Sequence, residues 1–195
     1  MYKTLHNLVL GFHGCSRETY ENVLYHHDEL SQSTNDYDWL GNGIYFWENS
    51  YERALEWAQR FKKEQGPSVI GAVIDLGLCL NLSDYGCTRV LMNSYHLLCN
   101  ECNLTNTPYP QNSGKNEDKP FRRLDCAVIE RLHRLNEEIG IPPYDSVRGV
   151  FFEGEPIYPS AGFRDKTHIQ LCVRNPNCIK GYFTPKEPDM AFARI

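Results

Sequence analysis

The stretch from Asp38 to Trp47 constrains the fold more than any other part of the chain, because it holds two glycines and four aromatic residues within ten positions. Gly41 and Gly43 allow the backbone to take a positive φ or to come close to a ligand. The Ile-Tyr-Phe-Trp run that follows has the β-branched and aromatic composition of a short buried strand. We expect a glycine turn that leads into this strand and presents Tyr45 to a ligand. A turn that only feeds a core strand is the alternative.

A second stretch, residues 8–16, is an apolar run that ends in a histidine and a glycine. It predicts a first strand that carries His13 at its C-terminal tip. Gly14 has no side chain, so its backbone N–H and C=O groups are open to a planar ligand. Ser16 and Arg17 then open a helix.

The two stretches together resemble the ADP-ribosyltransferase superfamily, in its poly-ADP-ribose-polymerase-like and diphtheria-toxin-like branch. In that branch a strand ends in His-Gly, a Gly-x-Gly-Ile-Tyr-Phe segment follows some tens of residues later, and a further strand carries a glutamate. His13-Gly14 and the segment from Gly41 to Phe46 match the first two elements in order and spacing. The resemblance covers residues 8–75 and returns near residues 166–183. It implies an α+β fold with a split antiparallel β-sheet core and flanking helices, and it implies NAD as the substrate.

The third element of the pattern falls on residues 166–174, which include no acidic residue. In the register that the resemblance favours, Gln170 takes the position of the glutamate. His168 points to the same face of a strand and is the alternative. Glu153 and Glu155 form a rival pair, since carboxylates at i and i+2 point the same way on an extended backbone.

The resemblance assigns roles to particular side chains. His13 binds a ribose hydroxyl of NAD, Tyr45 stacks on the nicotinamide, and Gly14 holds the carboxamide through its backbone. Trp57, on a helix predicted over residues 50–61, stacks on the opposite face of the nicotinamide. The expected catalytic residues are His13, Tyr45 and Gln170, with His168 and Glu155 as alternatives. The expected NAD contacts are His13, Gly14, Ser16, Asn35, Tyr45 and Trp57, and Ser33 and Asp36 lie in the same loop as Asn35.

Composition limits the other function classes. A chain of 195 residues is long enough for one domain with a sizeable core, and we expect residues 1–195 to form a single domain. The net charge of −5 argues against a generic nucleic-acid coat, because phosphate affinity comes from concentrated Lys and Arg. The chain does not open with a basic segment and a long apolar core, so we expect a cytoplasmic protein that does not associate with a membrane.

The cysteines predict buried thiols and no bound metal. His96, Cys99 and Cys102, with Cys87 upstream, have roughly the spacing of zinc ligands. A structural zinc site normally shows two tight pairs of ligands, and the second pair is missing.

Apolar periodicity predicts helices over residues 50–61 and 123–139, and residues 84–101 are also expected to be helical. Residues 68–77 and 146–152 have strand composition. The region from about residue 84 to residue 140, with its polar loop over residues 103–120, forms a helical insertion that has no counterpart in the family. Since the family shares its catalytic core, we expect this insertion to recognise the acceptor.

Cleavage of the bond between nicotinamide and ribose passes through an oxocarbenium-like transition state, so the site must stabilise positive charge. Gln170 can hydrogen-bond a ribose hydroxyl, but it carries no charge and cannot act as a base. The resemblance therefore predicts a mono-ADP-ribosyltransferase that uses NAD to modify a protein or a nucleic acid, with a neutralising or regulatory partner as a further expectation. A catalytically inactive NAD-binding module of the same fold and an unrelated small α+β binding protein are the alternatives.

Overall fold

Four α-helices and nine β-strands make up the part of the chain that the computed structural model describes, residues 8–114 and 119–186. Two short 3-10 turns lie at Lys63–Gln65 and Pro176–Cys178. In chain order the elements are β1 (Leu8–Ser16), α1 (Arg17–Tyr25), β2 (Ile44–Glu48), α2 (Tyr51–Phe61), β3 (Pro67–Asp75), β4 (Cys79–Asn81), α3 (Tyr85–Thr105), β5 (Asn112–Ser113), β6 (Phe121–Arg122), α4 (Arg123–Glu138), β7 (Ser146–Phe151), β8 (His168–Val173) and β9 (Ile179–Phe183).

Seven of these strands form one sheet, in the order β4-β7-β8-β2-β1-β3-β9. Neighbouring strands are antiparallel except β4 and β7, which run parallel. Strands β5 and β6 form a separate two-stranded sheet. The expectation of an α+β protein with a mostly antiparallel sheet is confirmed.

The alternation of side chains along β2 divides the core between the two faces of the large sheet. Ile44 and Phe46 point to one face, where they pack with Tyr20 and Val23 of α1. Helix α2 covers part of the opposite face, and the pair α3 and α4 covers the rest of it. The sheet therefore lies between two helical layers, and the odd-numbered residues of β2 face α2 and α4.

Helix ends and strand ends depart from the sequence expectations by a few residues. Helix α3 begins after Asp84, whose side chain accepts from the Cys87 N–H at 3.0 Å, and it runs to Thr105 rather than to residue 101. It stops there because Asn106 takes a left-handed conformation, with φ 53° and ψ 37°. The strand expected over residues 166–174 begins only at His168. Strand β4 was not expected, since three residues carry too little periodicity to be recognised.

Some expectations fall on residues outside the described segments. The first seven residues, on which the cytoplasmic expectation rests in part, lie outside the described residues, as do residues 115–118 of the expected polar loop. None of the described helices combines the length and the apolar character that crossing a membrane requires. The eight cysteines all lie in described segments and form no disulfide bond there, and no group of metal-binding side chains is assembled in those segments.

The buried imidazole of His133 makes the stability of the fold depend on pH. Its Nδ1 donates to the Ile129 carbonyl at 2.9 Å, and burial, aided by the charge of Arg174, lowers its pKa to about 4. The unfolded chain has the ordinary histidine pKa near 6.5 and therefore takes up a proton first as the pH falls. The stability present above pH 6.5 is lost progressively between pH 6.5 and 4, by roughly 3 kcal/mol for this group.

We expect His133→Gln to flatten the dependence of the unfolding free energy on pH between pH 6.5 and 4. The matched control is His26→Gln, because His26 is exposed in the folded chain. Urea denaturation at a series of pH values measures both variants, and curves that stay parallel to that of the wild type for His133→Gln would contradict the assignment.

Candidate functional site

Strands β1 and β2 separate just where the two sequence motifs meet. Their pairing covers only Gly11 with Glu48 and Phe12 with Trp47, whereas β1 pairs with β3 along all nine of its residues. On the far side of the opening, the Ser33 and Gly43 backbones exchange hydrogen bonds of 2.8 and 3.0 Å, so the loop before β2 takes over the pairing. We call the opening between these two paired positions the β1–β2 gap.

Gly14 turns its peptide groups into the β1–β2 gap. In an antiparallel strand the N–H and C=O of one residue point to the same neighbour, and the direction alternates along the chain. The Asn49 N–H donates to the Leu10 carbonyl at 2.9 Å, so Leu10, Phe12 and Gly14 all direct their peptide groups toward β2. The continued register places Gly14 opposite Tyr45, but that pair does not form.

Helix α2 closes one side of the gap through very close packing on Gly14. A Cβ atom on Gly14 would lie 2.3 Å from the Ala54 carbonyl oxygen and 3.3 Å from the Ala58 Cβ. Ala54 and Ala58 are one turn apart on α2 and are both completely buried. Gly14 is thus required for the approach of the helix, in addition to leaving its backbone free.

His13 spans the gap. Its Nδ1 lies 2.8 Å from the Tyr45 carbonyl oxygen, which can only accept, so Nδ1 carries the proton and Nε2 is left as an acceptor. Burial lowers the pKa of His13, the bond to Tyr45 opposes this shift, and the positive charge of Lys62 adds to it. The imidazole is therefore neutral at pH 7. Lys62 follows the last residue of α2 and brings a cation to this end of the gap.

The Tyr45 ring faces the side of the sheet that carries α2 and α4, and its hydroxyl is held by the glycine turn. The hydroxyl donates to the Gly41 carbonyl at 2.8 Å and accepts from the Leu40 N–H at 3.0 Å. Burial raises the pKa of Tyr45 well above its ordinary value. Gly41 has φ +80°, which explains the glycine there. Sequence reasoning assigned only the ring a role; the structure gives the hydroxyl a structural one.

An ion pair between α4 and the end of β8 anchors the glycine turn from outside. The Arg174 guanidinium lies 2.5 Å from Glu130 Oε1 and donates to the Asn42 carbonyl at 2.9 Å. Glu130 Oε1 also accepts from the Asn42 N–H at 2.8 Å. The region predicted as an insertion is thus bound directly to the motif, which sequence reasoning did not foresee.

The other predicted NAD contacts lie at varying distances from the gap. Ser16 caps α1, with its Oγ accepting from the Thr19 N–H at 3.2 Å. Asn35 is exposed and donates to Ser33 Oγ at 2.8 Å. Trp57 is half-buried, and its ring packs against Trp47 at 6.0 Å and Phe61 at 5.2 Å between centroids. Its stacking on nicotinamide stays a prediction.

Gln170 lies on the same face as Tyr45, two residues further along the strand pair, opposite Trp47. Its Oε1 accepts from the Trp39 Nε1 at 2.5 Å. Trp39 lies over Gly149 of the neighbouring strand β7, where a Cβ atom would come within 2.7 Å of the indole. The amide oxygen of Gln170 is therefore occupied, and its NH2 group remains to donate.

His168, the alternative to Gln170, lies in a cluster of charged residues. Its ring stacks on Phe151 with centroids 5.5 Å apart, and its Nδ1 lies 2.7 Å from the Lys166 carbonyl oxygen. Glu153 Oε2 is 3.9 Å from the same Nδ1 and 2.7 Å from Nη2 of Arg53, which projects from α2. Glu56 pairs with both Arg53 and Lys166. We refer to Arg53, Glu153 and His168 as the Glu153 cluster.

Glu153 and Glu155 do not form a carboxylate pair, because the backbone between them is not extended. Gly154 has φ +86°, and the Glu155 N–H donates to Asp165 Oδ1 at 2.9 Å in an exposed turn. The side chain of Glu155 is exposed, whereas that of Glu153 is 25% exposed and turns to α2. Only Glu153 reaches the predicted site.

Two cavities flank the glycine turn. One, of about 440 Å³, lies between α3, α4 and Trp39. The other, of about 330 Å³, is bordered by Asp36, Asn42 and Glu130. His13, Gly14, Tyr45 and Gln170 line neither of these two cavities, which are therefore distinct from the β1–β2 gap.

Sequence reasoning overlooked three residues that the fold brings to this region: Lys62, Arg53 and Trp39. Arg53 meets a residue one hundred positions away, and Trp39 meets one 131 positions away. No local pattern indicates such contacts. The strand order β7-β8-β2, had it been predicted, would have pointed to Arg53 and Trp39.

Comparison with known proteins identifies no relative. No model of a protein family matches the chain, and no curated protein or solved structure shows significant similarity to it.

We expect Tyr45→Phe to lower the unfolding free energy by about 2 kcal/mol in the absence of ligand, because it leaves the Leu40 N–H without a partner and removes the hydroxyl that donates to the Gly41 C=O. The control is Tyr182→Phe, which removes an exposed bond of 3.1 Å to Glu29 and should cost much less. Chemical denaturation compares the two variants, and equal losses would show that the Tyr45 hydroxyl does not hold the turn.

We expect Gly14→Ala to lower the unfolding free energy by about 2 kcal/mol or more, because the added methyl group must push α2 off the sheet. Gly181→Ala in β9 is the control, since a Cβ atom there meets nothing within 4 Å. Both variants are measured by urea unfolding. If Gly14→Ala is as stable as Gly181→Ala, close helix packing is not what requires the glycine.

Proposed function

We propose that this chain is an NAD-dependent mono-ADP-ribosyltransferase that transfers ADP-ribose to a protein or a nucleic acid and releases nicotinamide. The observation that carries the proposal is the β1–β2 gap, where the peptide groups of Gly14 face Tyr45 and the imidazole of His13 lies between the strands. The gap is formed by the same residues that resemble the family motifs.

The nicotinamide carboxamide complements the free edge of Gly14. A carboxamide has one acceptor oxygen and two N–H donors, and a single residue of a strand offers one donor and one acceptor on the same side. These two hydrogen bonds to the carboxamide take the place of the backbone hydrogen bonds between β1 and β2, which stop after Phe12 and Trp47. The Tyr45 ring, fixed by its hydroxyl, provides the aromatic surface for stacking.

His13 and Lys62 suit the rest of the NAD molecule. The free Nε2 of His13 accepts a hydrogen bond from a ribose hydroxyl, because the tautomer is set by the bond from Nδ1 to Tyr45. Lys62 adds a positive charge close to His13, which favours the pyrophosphate.

The third position limits the reaction to a single transfer. Strand β8 carries no acidic residue, and Gln170 donates to a ribose oxygen without acting as a base. Chain elongation needs a carboxylate on this strand to activate a second hydroxyl, so one ADP-ribose per site is the expected product. The same absence favours an alternative function, an NAD-binding module that does not cleave its ligand.

The proposal is tested with NAD labelled on the adenylate phosphate, incubated with the protein and cell lysate. We expect label on a macromolecule together with release of nicotinamide, and digestion by protease or by nuclease identifies the class of acceptor. NAD that binds without either product supports the inactive module. A chain that does not bind NAD contradicts both functions.

We expect His13→Ala to weaken NAD binding about tenfold, because one hydrogen bond to a ribose hydroxyl is worth about 1.4 kcal/mol. The variant should stay folded, with a loss of about 1 kcal/mol from the missing bond to Tyr45. Calorimetry with His26→Ala, an exposed histidine, as control measures the affinity. Unfolding of His13→Ala without NAD, or an unchanged affinity, would make His13 a structural residue only.

A further inference from the structure

Three buried polar atoms without a hydrogen-bond partner lie together on the face of the sheet that α2 covers. They are Trp47 Nε1, Arg53 Nε and His168 Nε2, three of the five such side-chain atoms among the described residues. The Trp47 and His168 rings are 6.2 Å apart, and Arg53 and His168 both approach Glu153. A buried polar group without a hydrogen-bond partner destabilises the folded chain, so three such atoms at one place point to a site for a polar ligand.

The chemistry of the three atoms defines that ligand. The His168 Nδ1 must donate to the Lys166 carbonyl, so Nε2 of the neutral ring is an acceptor. Burial lowers the pKa of His168, which keeps the ring neutral at pH 7. Trp47 Nε1 and Arg53 Nε can only donate. A phosphate cannot donate to His168 and an apolar group satisfies none of the three, whereas sugar hydroxyls both donate and accept.

The Glu153 cluster also places a carboxylate next to these three unpartnered atoms. Glu153 Oε2 is 2.7 Å from Arg53 and 3.9 Å from His168, and its side chain is only 25% exposed. Glu56 is the other acid here, but it is more exposed and pairs with two cations, Arg53 and Lys166. Glu153 comes from the segment after β7, the strand next to β8, so it reaches the position where β8 itself offers no charge.

We propose that Trp47, Arg53 and His168 bind the hydroxyls of the sugar at the scissile bond, and that Glu153 is the catalytic carboxylate that supplies the charge Gln170 lacks. This inference rests on the proposed function. Because the three atoms are buried, the sugar enters when the Arg53–Glu153 ion pair between α2 and the segment after β7 opens.

The step balances without a further reactant. The bond from C1′ of the ribose to the nicotinamide nitrogen breaks, and its electron pair leaves with nicotinamide. Glu153 stabilises the positive charge on C1′ and the ring oxygen, and a lone pair of the acceptor forms the new bond to C1′. The acceptor proton passes to Glu153 and then to solvent, so NAD⁺ and the acceptor give the ADP-ribosyl product, nicotinamide and a proton.

Glu153→Gln tests the carboxylate, because it keeps the shape and removes the charge. We expect the NAD affinity to stay within about threefold and nicotinamide release to fall about 100-fold. Glu52→Gln, an exposed residue of α2, is the control and should act like the wild type. Equal rates for the two variants overturn the proposal. If Glu153→Gln melts below the assay temperature, Glu153→Asp replaces it, and a rate equal to that of the wild type overturns the proposal.

NAD analogues that lack the 2′- or the 3′-hydroxyl of the nicotinamide ribose test the hydroxyl contact. His168→Phe keeps the ring on Phe151 and removes the acceptor. We expect His168→Phe and one of the analogues each to weaken binding about tenfold, and the combination to weaken it no further, because both changes remove the same bond. If the loss of affinity from His168→Phe adds to the loss from each of the two analogues, His168 does not contact either hydroxyl.

The outcomes separate this inference from the proposed function. A wild-type chain that does not bind NAD overturns both. Cleavage that survives Glu153→Gln overturns only the role of Glu153. NAD binding without cleavage in the wild type also overturns that catalytic role, while the analogue experiment still decides whether His168 contacts the sugar.

Discussion

The separation of β1 from β2 after the Phe12–Trp47 pair is the feature on which the rest of the site depends. A sheet interior normally satisfies every peptide group, and here two adjacent central strands leave Gly14 without its partner on β2. The opening persists because both strands are held elsewhere: β1 by its full pairing with β3, and β2 by β8 and by Ser33. The His13 Nδ1 then donates to the Tyr45 carbonyl, which faces the gap. A rigid scaffold thus holds a free backbone edge in place.

Helix α2 closes the β1–β2 gap on one face of the sheet. Ala54 and Ala58 allow the helix axis to come so near Gly14 that no side chain fits between them, and the same helix carries Arg53 and Trp57. Any ligand on this face of the sheet must therefore work against helix packing that is already tight. Small residues here serve the fold and the site together, so their substitution affects stability before it affects ligand binding.

Local composition was enough to predict most elements and the position of the glycine turn. The Ile-Tyr-Phe-Trp run from residue 44 and residues 68–77 have strand composition, because β-branched and aromatic residues are concentrated there, and they correspond to β2 and β3; residues 123–139 show the helical periodicity of α4. The contacts of the site could not be predicted in this way.

The Glu130–Arg174 and Arg53–Glu153 pairs join residues far apart in the chain, and the sequence around each residue does not indicate its partner. The positive φ of Gly154 could not be predicted either. On an extended backbone the Glu153 and Glu155 side chains would point the same way, and this one residue turns them apart.

The Arg53–Glu153 ion pair sets a condition on any chemistry at this place. A carboxylate that stabilises a forming cation must not be neutralised by a nearby guanidinium, yet a partly buried carboxylate without a partner would destabilise the empty protein. Both requirements are met if the Arg53–Glu153 pair exists only in the empty protein and a bound ligand replaces Glu153 as the partner of Arg53. The cost of opening the pair is then offset by hydrogen bonds to Trp47 Nε1, Arg53 Nε and His168 Nε2, three atoms that have no hydrogen-bond partner in the empty protein. In the proposed mechanism, ligand binding and exposure of the charge are then one event, and the Glu153 carboxylate is released from Arg53 only when the sugar lies beside it.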